Sequence, residues 1–173
     1  VDEVSGNFFP NLGVPAVLGR SLTPEDDRSN APRAVVVLSY ACWQSRFGAD
    51  PSVLGKTILL ENVPFSIVGV APAGFFGVVI GRQTDLWIPV QMIPIVSPRA
   101  PSLRSTGSYW LPLMGRLRPG FTREMAATEL DLLFQRDIEE MLAEHPQFAD
   151  YHAKFDLQPG GSGYFLSAER NRA

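Results

Sequence analysis

Residues 35–70 read VVVLSYACWQSRFGADPSVLGKTILLENVPFSIVGV, and this stretch decides the fold. Thr57–Leu60 and Val63–Val70 are apolar runs separated by the two residues Glu61-Asn62, which is the spacing of a β-hairpin. Asn62 stands where such a turn requires positive φ, and asparagine tolerates positive φ better than most residues. The β-branched run from Ala34 to Leu38 predicts a further strand, buried inside the domain.

Two helices are predicted around these strands. Ser39 has the side chain of a helix N-cap, and three aromatic residues then recur at the spacing of one helical face: Tyr40, Trp43 and Phe47. Gly48 can end this helix in the left-handed conformation. Another helix is predicted to start at Thr23-Pro24-Glu25-Asp26-Asp27, with Thr23 as cap, Pro24 in the first helical position and the acids facing the positive end of the dipole. Strands and helices together indicate a mixed fold.

Three motifs follow one another between residues 4 and 72. The first motif is Val4-Ser5-Gly6-Asn7-Phe8-Phe9, followed by Leu12-Gly13-Val14 and Leu18-Gly19-Arg20. The second is Val35 to Tyr40, followed by Trp43, Arg46-Phe47-Gly48 and Asp50-Pro51. The third is Val53-Leu54-Gly55-Lys56-Thr57, followed by Val63 to Pro72. In order and spacing they resemble the MacB-type periplasmic core domain of FtsX-like ABC transporter permeases. The similarity is greatest to the acidobacterial duplicated orphan permease branch of that family.

The resemblance implies an α+β fold built as two lobes. Residues 1–89 would form the sabre-like lobe, with the hairpin and a return strand at Asp85-Leu86-Trp87-Ile88-Pro89. A Pro- and Ser-rich loop would span 90–108, and a β-α-β half of the porter-like lobe would span 109–160. The other half of that lobe normally precedes Val4 in the family. The porter-like lobe is therefore expected to be incomplete here, or completed by a neighbouring chain.

The resemblance also implies a non-catalytic function. The chain would be the extracytoplasmic (periplasmic) domain of an inner-membrane permease, coupling ATP hydrolysis in the cytoplasm to export or to mechanical signalling. Its expected partners are the transmembrane part of the same permease, a cytoplasmic ABC ATPase subunit, a second permease copy or half, and a periplasmic adaptor. Two alternatives stay open: a stand-alone periplasmic ligand-binding module, and an enzyme that borrows the fold. A ligand-binding module would show a concave, mostly apolar pocket.

Composition narrows the classes of protein further. The 173 residues carry a net charge of −3 and contain no basic block, which argues against a nucleic-acid-binding surface. Hydrophobic residues make up 45% of the chain, enough for a real core. Cys42 is the single cysteine, so neither an internal disulfide nor a thiolate metal cluster can form.

The ends of the chain are expected to be those of an excerpt from a membrane protein. The sequence starts at Val1, without an initiator methionine or a signal peptide. No stretch approaches the roughly 18 apolar residues that a spanning helix requires. The tail, residues 161–173, resembles the family segment just ahead of the second transmembrane helix. Arg170 and Arg172 are interpreted either as juxtamembrane residues or as a solvated terminus.

The second half of the chain predicts one long helix between shorter elements. A strand is expected over Tyr109 to Leu117, broken or placed at an edge by Pro112, and a last short strand over Phe155 to Leu157. Thr122 is the expected cap of the helix, which should end before Pro146. Its buried stripe is predicted to comprise Ala126, Leu130, Leu133, Ile138 and Met141.

Several chemical motifs are incomplete, and we expect neither a cofactor nor a metal. Gly55-Lys56-Thr57 ends like a P-loop, but Asp50 stands where the first glycine would be, and a strand follows. His145 and His152 are the only histidines; with Asp150 and Asp156 they could ligate a metal, but solvated surface positions explain them better. Asp26 and Asp27 could form a functional carboxylate pair, but acidic residues at a helix start explain them equally well.

Aromatic and aliphatic residues near a cluster of glycines are the candidate partner-contact residues. They are Phe75, Phe76, Val78, Val79 and Ile80, between Gly74 and Gly81. Glycines weaken a regular strand, and exposed apolar residues here would mark a surface for a partner subunit or an amphipathic substrate. The alternative is that Phe75 and Phe76 pack beneath the hairpin as core residues.

Overall fold

The computed structural model of the chain describes residues 1–98, 103, 111–145, 157–161 and 163. The chain divides into two compact units, the first comprising Val1–Ala100 with Gly163–Ala173 and the second comprising Pro101–Ser162. The described part of the first unit contains a six-stranded sheet and short helices, and that of the second contains one long helix. The α+β class is therefore confirmed.

The sheet mixes parallel and antiparallel strands. Its members are β1 (Asp2–Val4), β2 (Leu18–Gly19), β3 (Val35–Leu38), β4 (Thr57–Leu60), β5 (Val63–Val70) and β6 (Leu86–Pro89). The order across the sheet is β1-β6-β3-β5-β2, and β4 also pairs with β5. The predicted hairpin is confirmed: Leu60 pairs with Val63, and Glu61 and Asn62 have φ of 48° and 65°. Both turn residues thus adopt the positive φ that a two-residue hairpin turn demands.

Four α-helices lie among the described residues: α1 (Phe8–Leu12), α2 (Tyr40–Phe47), α3 (Ile93–Val96) and α4 (Arg123–Glu144). The predicted caps of α2 are confirmed. Ser39 Oγ accepts a hydrogen bond from the amide of Cys42 at 3.0 Å, and Gly48 ends the helix at φ 61°. Thr122 caps α4 by accepting from the amide of Met125 at 3.2 Å, and the helix ends one residue before His145, as predicted.

The core of the first unit lies on both faces of the sheet, because successive residues of β3 point to opposite sides and all four are buried. One face packs Val36, Leu38, Cys42, Val53, Phe65, Ile67, Val70, Ile88, Met92 and Val96 together, with Tyr40, Trp43 and Phe47 of α2 against them. The other face packs Phe9, Leu22, Val35, Val37, Ala71 and Trp87. The predicted buried strand and the aromatic face of α2 are thus confirmed.

Two glycines allow β2 to pair closely with β5. A Cβ at Gly19 would lie 2.3 Å from the carbonyl oxygen of Val68, and a Cβ at Gly69 would lie 2.0 Å from that of Arg20. Both separations are far inside van der Waals contact, so a side chain at either position would push the strands apart. The register between β3 and β5 shifts at the same place. Glycine is thus required at both positions.

The helix predicted at Thr23 is wrong. Residues 24–27 form a turn, in which the amide of Asp26 donates to Thr23 O at 2.9 Å and that of Asp27 to Pro24 O at 3.2 Å. The Oδ2 of Asp26 accepts from the amide and the hydroxyl of Thr23 at 3.0 and 2.9 Å, as at a helix start, but only this one turn forms. In a helix the carbonyl of Asp26 would accept from the amide of Asn30, four residues on, but it accepts from the amide of Arg33 at 2.9 Å, so the chain leaves the helical path after one turn.

Two further predictions in the second half fail. The described part of the expected strand, residues 111–117, has no regular secondary structure and is exposed, because Pro112 lacks an N–H and no described strand pairs with the segment. In α4, Ile138 and Met141 are buried and Ala126 and Leu130 half-buried, but Leu133 is 65% exposed. Tyr109, Trp110, Phe155 and Asp156 lie outside the described residues, and Leu157 is not in a strand.

Candidate partner surface at the aromatic loop

The five predicted contact residues lie in one loop between β5 and β6. We call residues 74–85 the aromatic loop. Its apolar side chains do not share one environment: Val79 is buried, Phe75, Val78 and Ile80 are half-buried, and Phe76 is 49% exposed. The structure therefore leaves Phe76 as the member of the set that is most open to a partner. That these residues contact a partner stays a prediction.

Phe75 anchors the loop in an aromatic cluster on one face of the sheet. Its ring centroid lies 5.3 Å from that of Trp87, 5.8 Å from Phe9 and 6.2 Å from Phe8. Phe9 and Trp87 meet edge to face at 5.5 Å. Such tilted and edge-to-face pairs are favourable beyond the area they bury. Phe75 is therefore a packing residue, as the alternative interpretation held, although it packs against α1 and β6 rather than beneath the hairpin.

Polar contacts hold the other end of the loop, and sequence reasoning missed them. The hydroxyl of Thr84 donates to Asp2 Oδ2 at 2.5 Å, and Arg82 forms an ion pair with the same carboxylate. The amide of Thr84 donates to the carbonyl of Phe76 at 3.0 Å, which closes the loop across its own base. Asp2 and Thr84 are 82 residues apart in sequence, so no local pattern signals the contact.

A cleft of about 200 Å³ lies beside Phe76. It is lined by the start of α2 and by the aromatic loop with residue 73: Ser39, Tyr40, Ala41, Gln44, Ala73, Gly74, Phe75, Phe76, Gln83, Thr84 and Asp85. The amide of Ser39 donates to Asp85 O at 2.7 Å, which fixes the loop to the cap of α2. Pockets for drug-sized ligands usually measure about 300–1,000 Å³. The cleft is therefore smaller than such a pocket.

The indole N–H of Trp87 is buried under this loop, and among the described residues no hydrogen-bond acceptor meets it. Unpaired buried donors are rare, because a donor removed from water without a partner destabilises the fold. The aromatic rings around Trp87 account for its burial, since they favour a large side chain at this place. Trp87 contributes to the packing of the loop rather than to a polar site.

The P-loop-like stretch has a structural role. Thr57 begins β4, so no helix follows Lys56. Asp50 caps the 3-10 turn Pro51–Val53, with its carboxylate accepting from the hydroxyl and amide of Ser52, and it pairs with Lys56 at 3.2 Å. The hydrogen bonds from Ser52, together with Lys56, lower the pKa of Asp50 to about 2. The perturbed carboxylate is thus explained by turn formation.

Asp26 and Asp27, like Asp50, accept hydrogen bonds that hold turns and loops in place. Asp26 is fully buried and accepts two hydrogen bonds from Arg20, at 2.5 and 3.0 Å, beside those from Thr23. Burial alone would raise the pKa of Asp26, but the bonds from Arg20 and Thr23 outweigh it, so the pKa lies below its usual value. Asp27 accepts from the amides of Gly6 and Gln91, both at 3.0 Å. It ties two loops together.

The remaining chemical candidates do not assemble into a site within the part of the chain that the structure describes. His145 follows the end of α4, whereas His152, Asp150 and Asp156 lie outside the described residues. No group of three or more His, Cys, Asp or Glu side chains among the described residues could hold a metal. Cys42 is buried, and burial, followed by the charge of Asp85, raises the pKa of its thiol. No described helix is both long and apolar enough to span a bilayer.

Comparison with known proteins agrees with the motifs. The sequence profile of the MacB-like periplasmic core domain matches residues 1–133. The chain is 29% identical over 89 residues to the macrolide export ATP-binding/permease protein MacB of Burkholderia thailandensis, covering 51% of this chain and 13% of that protein. It is 43% identical over 70 residues to the pyoverdine export ATP-binding/permease protein PvdT of Pseudomonas savastanoi pv. phaseolicola, covering 39% and 10%. The chain thus spans a small part of these relatives.

Among solved structures, the fold is similar to that of the periplasmic region of MacB from Actinobacillus actinomycetemcomitans. The TM-score is 0.52 at 22% identity, and the match covers 78% of this chain and 54% of the other. At this identity the likeness shows the fold, which is the two-lobed α+β architecture expected from the motifs.

Proposed function

The chain belongs to the MacB-like periplasmic core domain family, and on this premise we propose that it couples ATP hydrolysis on one side of the membrane to movement on the other. The observation that carries the proposal is the family match over residues 1–133. The domain would lie outside the cytoplasm, carry out no chemistry itself, and transmit a change of position that drives export or passes a mechanical signal.

The construction of the first unit suits a body that moves as a whole. Its central strand is buried on both faces, and the half-buried carboxylate of Asp27 joins the backbone at Gly6 to that at Gln91, far apart in sequence. Densely packed interiors transmit displacement rather than absorb it. An enzyme would instead use its perturbed groups for catalysis. The lowered pKa values of Asp26 and Asp50 are accounted for by neighbours that hold turns in place.

The partners follow from the proposal. They are the transmembrane part of the same permease, a cytoplasmic ABC ATPase subunit, a second permease copy or half, and a periplasmic adaptor. The names of the relatives given above describe export of macrolides and of pyoverdine. We extend to this chain only the direction of transport, which is export. Within the chain, we propose residues 1–89 as the sabre-like lobe, 90–108 as a connecting loop, 109–160 as the porter-like half and 161–173 as the juxtamembrane tail.

The small size of the cleft beside Phe76 supports coupling over stand-alone ligand binding. At about 200 Å³ it falls below the usual size of a ligand pocket. Mechanical coupling is the function that this surface supports better.

The test uses the full-length permease with its ATPase in lipid nanodiscs. Amide hydrogen exchange across residues 1–98 is compared without nucleotide, with ADP, and with ATP plus vanadate, which traps the ATPase during turnover. Coupling predicts that the exchange pattern with ATP plus vanadate differs from the other two. The same comparison without the ATPase subunit is the control and should show no difference. Identical exchange across the domain in all three states would contradict the proposal.

A further inference from the structure

We infer that the aromatic loop is the junction at which movement of β1 and of the chain near Gly163 reaches the exposed Phe76. The inference rests on the proposed coupling function and assigns it a place in the domain. Two contacts carry it: one to Asp2, near one end of the sequence, and one to Gly163, near the other. Both meet a loop of twelve residues, 74–85.

The first contact ties the loop to the edge of the sheet. Asp2 is 12% exposed and Thr84 is 4% exposed, so their hydrogen bond is shielded from water. The carboxylate of Asp2 also pairs with Arg82. β1 has three residues and pairs with β6 alone among the described strands. A short edge strand can shift at lower cost than a central one, and a shift of β1 would move Asp2 and pull directly on Thr84.

The second contact ties the loop to the far end of the described chain. Gly163 has φ 84°, and a Cβ there would lie 2.6 Å from the carbonyl oxygen of Val78 and 3.2 Å from Cγ1 of Ile80. The backbone at Gly163 is therefore directly against the loop, with no room for a side chain between them. Displacement of that backbone would press on residues 78–80.

Phe76 is bonded to the first tether and precedes the second, residues 78–80, with one residue between them. Its carbonyl accepts the amide of Thr84, so Thr84 cannot move without displacing the backbone at Phe76. The adjacent Phe75 is held by the rings of Phe9 and Trp87 and provides a fixed pivot. One loop thus has an anchored aromatic residue, an exposed aromatic residue next to it, and two tethers to distant parts of the chain. This is the arrangement expected of an element that changes the presentation of Phe76 to a partner.

The first part of the test measures the tether in the chain itself. Asp2→Asn and Thr84→Val are compared with matched controls: Glu3→Gln removes a charge from the exposed side of the same strand, and Thr84→Ser keeps the hydroxyl. We expect amide exchange at Arg82 and Thr84 to rise about tenfold or more in the first two variants, the scale for loss of a hydrogen bond to a charged group. The controls should exchange like the wild type. Unchanged exchange in Thr84→Val, which removes a single contact, would overturn the inference.

The second part uses the full-length permease with its ATPase. We expect ATP plus vanadate to change exchange in residues 74–85 of the wild type and of Glu3→Gln, and this change to be lost in Asp2→Asn and in Gly163→Ala. If the nucleotide changes exchange elsewhere in residues 1–98 but not in the loop, the junction is refuted and the coupling function stands. If it changes exchange nowhere in the domain, the coupling function fails, and the junction with it.

Discussion

Replacing either of the two adjacent phenylalanines of the aromatic loop by alanine tests whether they have the separate roles that the structure gives them. Phe75→Ala removes a ring that packs against three others, Phe8, Phe9 and Trp87. Phe76→Ala removes the same atoms from a side chain that is 49% exposed and belongs to neither core cluster. The chemistry of the change is identical, so any difference in stability comes from the surroundings.

The expected magnitudes follow from burial. Truncation of a fully buried phenylalanine to alanine costs about 3–5 kcal/mol. Phe75 is half-buried but makes three ring contacts, so we expect its loss to lower the free energy of unfolding by about 2–3 kcal/mol. For Phe76 we expect less than about 1 kcal/mol, close to the value for ordinary surface substitutions.

Urea unfolding of the isolated chain, followed by tryptophan fluorescence, measures both values. Trp87 lies against Phe75, and it contributes to the fluorescence together with Trp43 and Trp110. In the full permease, Phe76→Ala should reduce assembly with a partner subunit, whereas its unfolding curve stays near that of the wild type. A loss of stability from Phe76→Ala equal to that from Phe75→Ala would refute the separation of roles. So would a loss below about 1 kcal/mol from Phe75→Ala.

Three further predictions test the rest of the fold. Asp26→Asn should lower the free energy of unfolding by about 2–4 kcal/mol. Folding lowers the pKa of Asp26, so its stabilising contribution is full above about pH 4 and is lost as the pH falls through its folded pKa. The free energy of unfolding, measured from pH 7 to pH 3, should therefore change less in the variant than in the wild type. Gly69→Ala should abolish folding or lower the free energy of unfolding by more than about 3 kcal/mol. Gly55→Ala is the control: Gly55 has φ 79° and open space around it, so its replacement should cost only about 1–2 kcal/mol. Thermal melts that rank the two variants otherwise would contradict the close pairing of β2 with β5. Trp43→Ala should cost about 3 kcal/mol, since its ring packs on the core and its Nε1 donates to Asp50 O at 3.0 Å; a melting temperature within a degree or two of wild type would contradict this assignment.

The strand, helix and hairpin between residues 35 and 70 could be predicted because each has a local signal that agrees with its surroundings. Ser39 and Gly48 cap α2 at the expected places. The two-residue turn at Glu61-Asn62 reverses the chain and so pairs β4 with β5. The turn at Thr23 could not be predicted in the same way. Asp26 and Thr23 are also typical of a helix start. The contacts seen at the observed turn, from Arg20 to the carboxylate of Asp26 and from the amide of Arg33 to its carbonyl, have no local signal.

The candidate surface was predicted as a segment but not in its details. Glycines and apolar residues indicated an irregular loop at 74–81, yet which of its phenylalanines points inward depends on Phe9 and Trp87, which come from other elements. The tether from Asp2 to Thr84 has no local signal at all, because it joins an edge strand to a loop more than eighty residues away. In α4, helical spacing alone placed Leu133 in the buried stripe, but the spacing does not fix which face of a long helix meets a partner element.

The burial of Cys42 also makes the chain a convenient subject for site-specific labelling. The thiolate is the form that reacts with maleimide or methanethiosulfonate reagents. Burial on the inner face of α2 both raises the pKa of this thiol and keeps reagents from reaching it. Since it is the single cysteine of the sequence, a cysteine introduced on the surface would react alone, without first removing the native one from the core. Spin labels or fluorophores at chosen pairs of exposed positions could then follow movement within this domain without a change to its core.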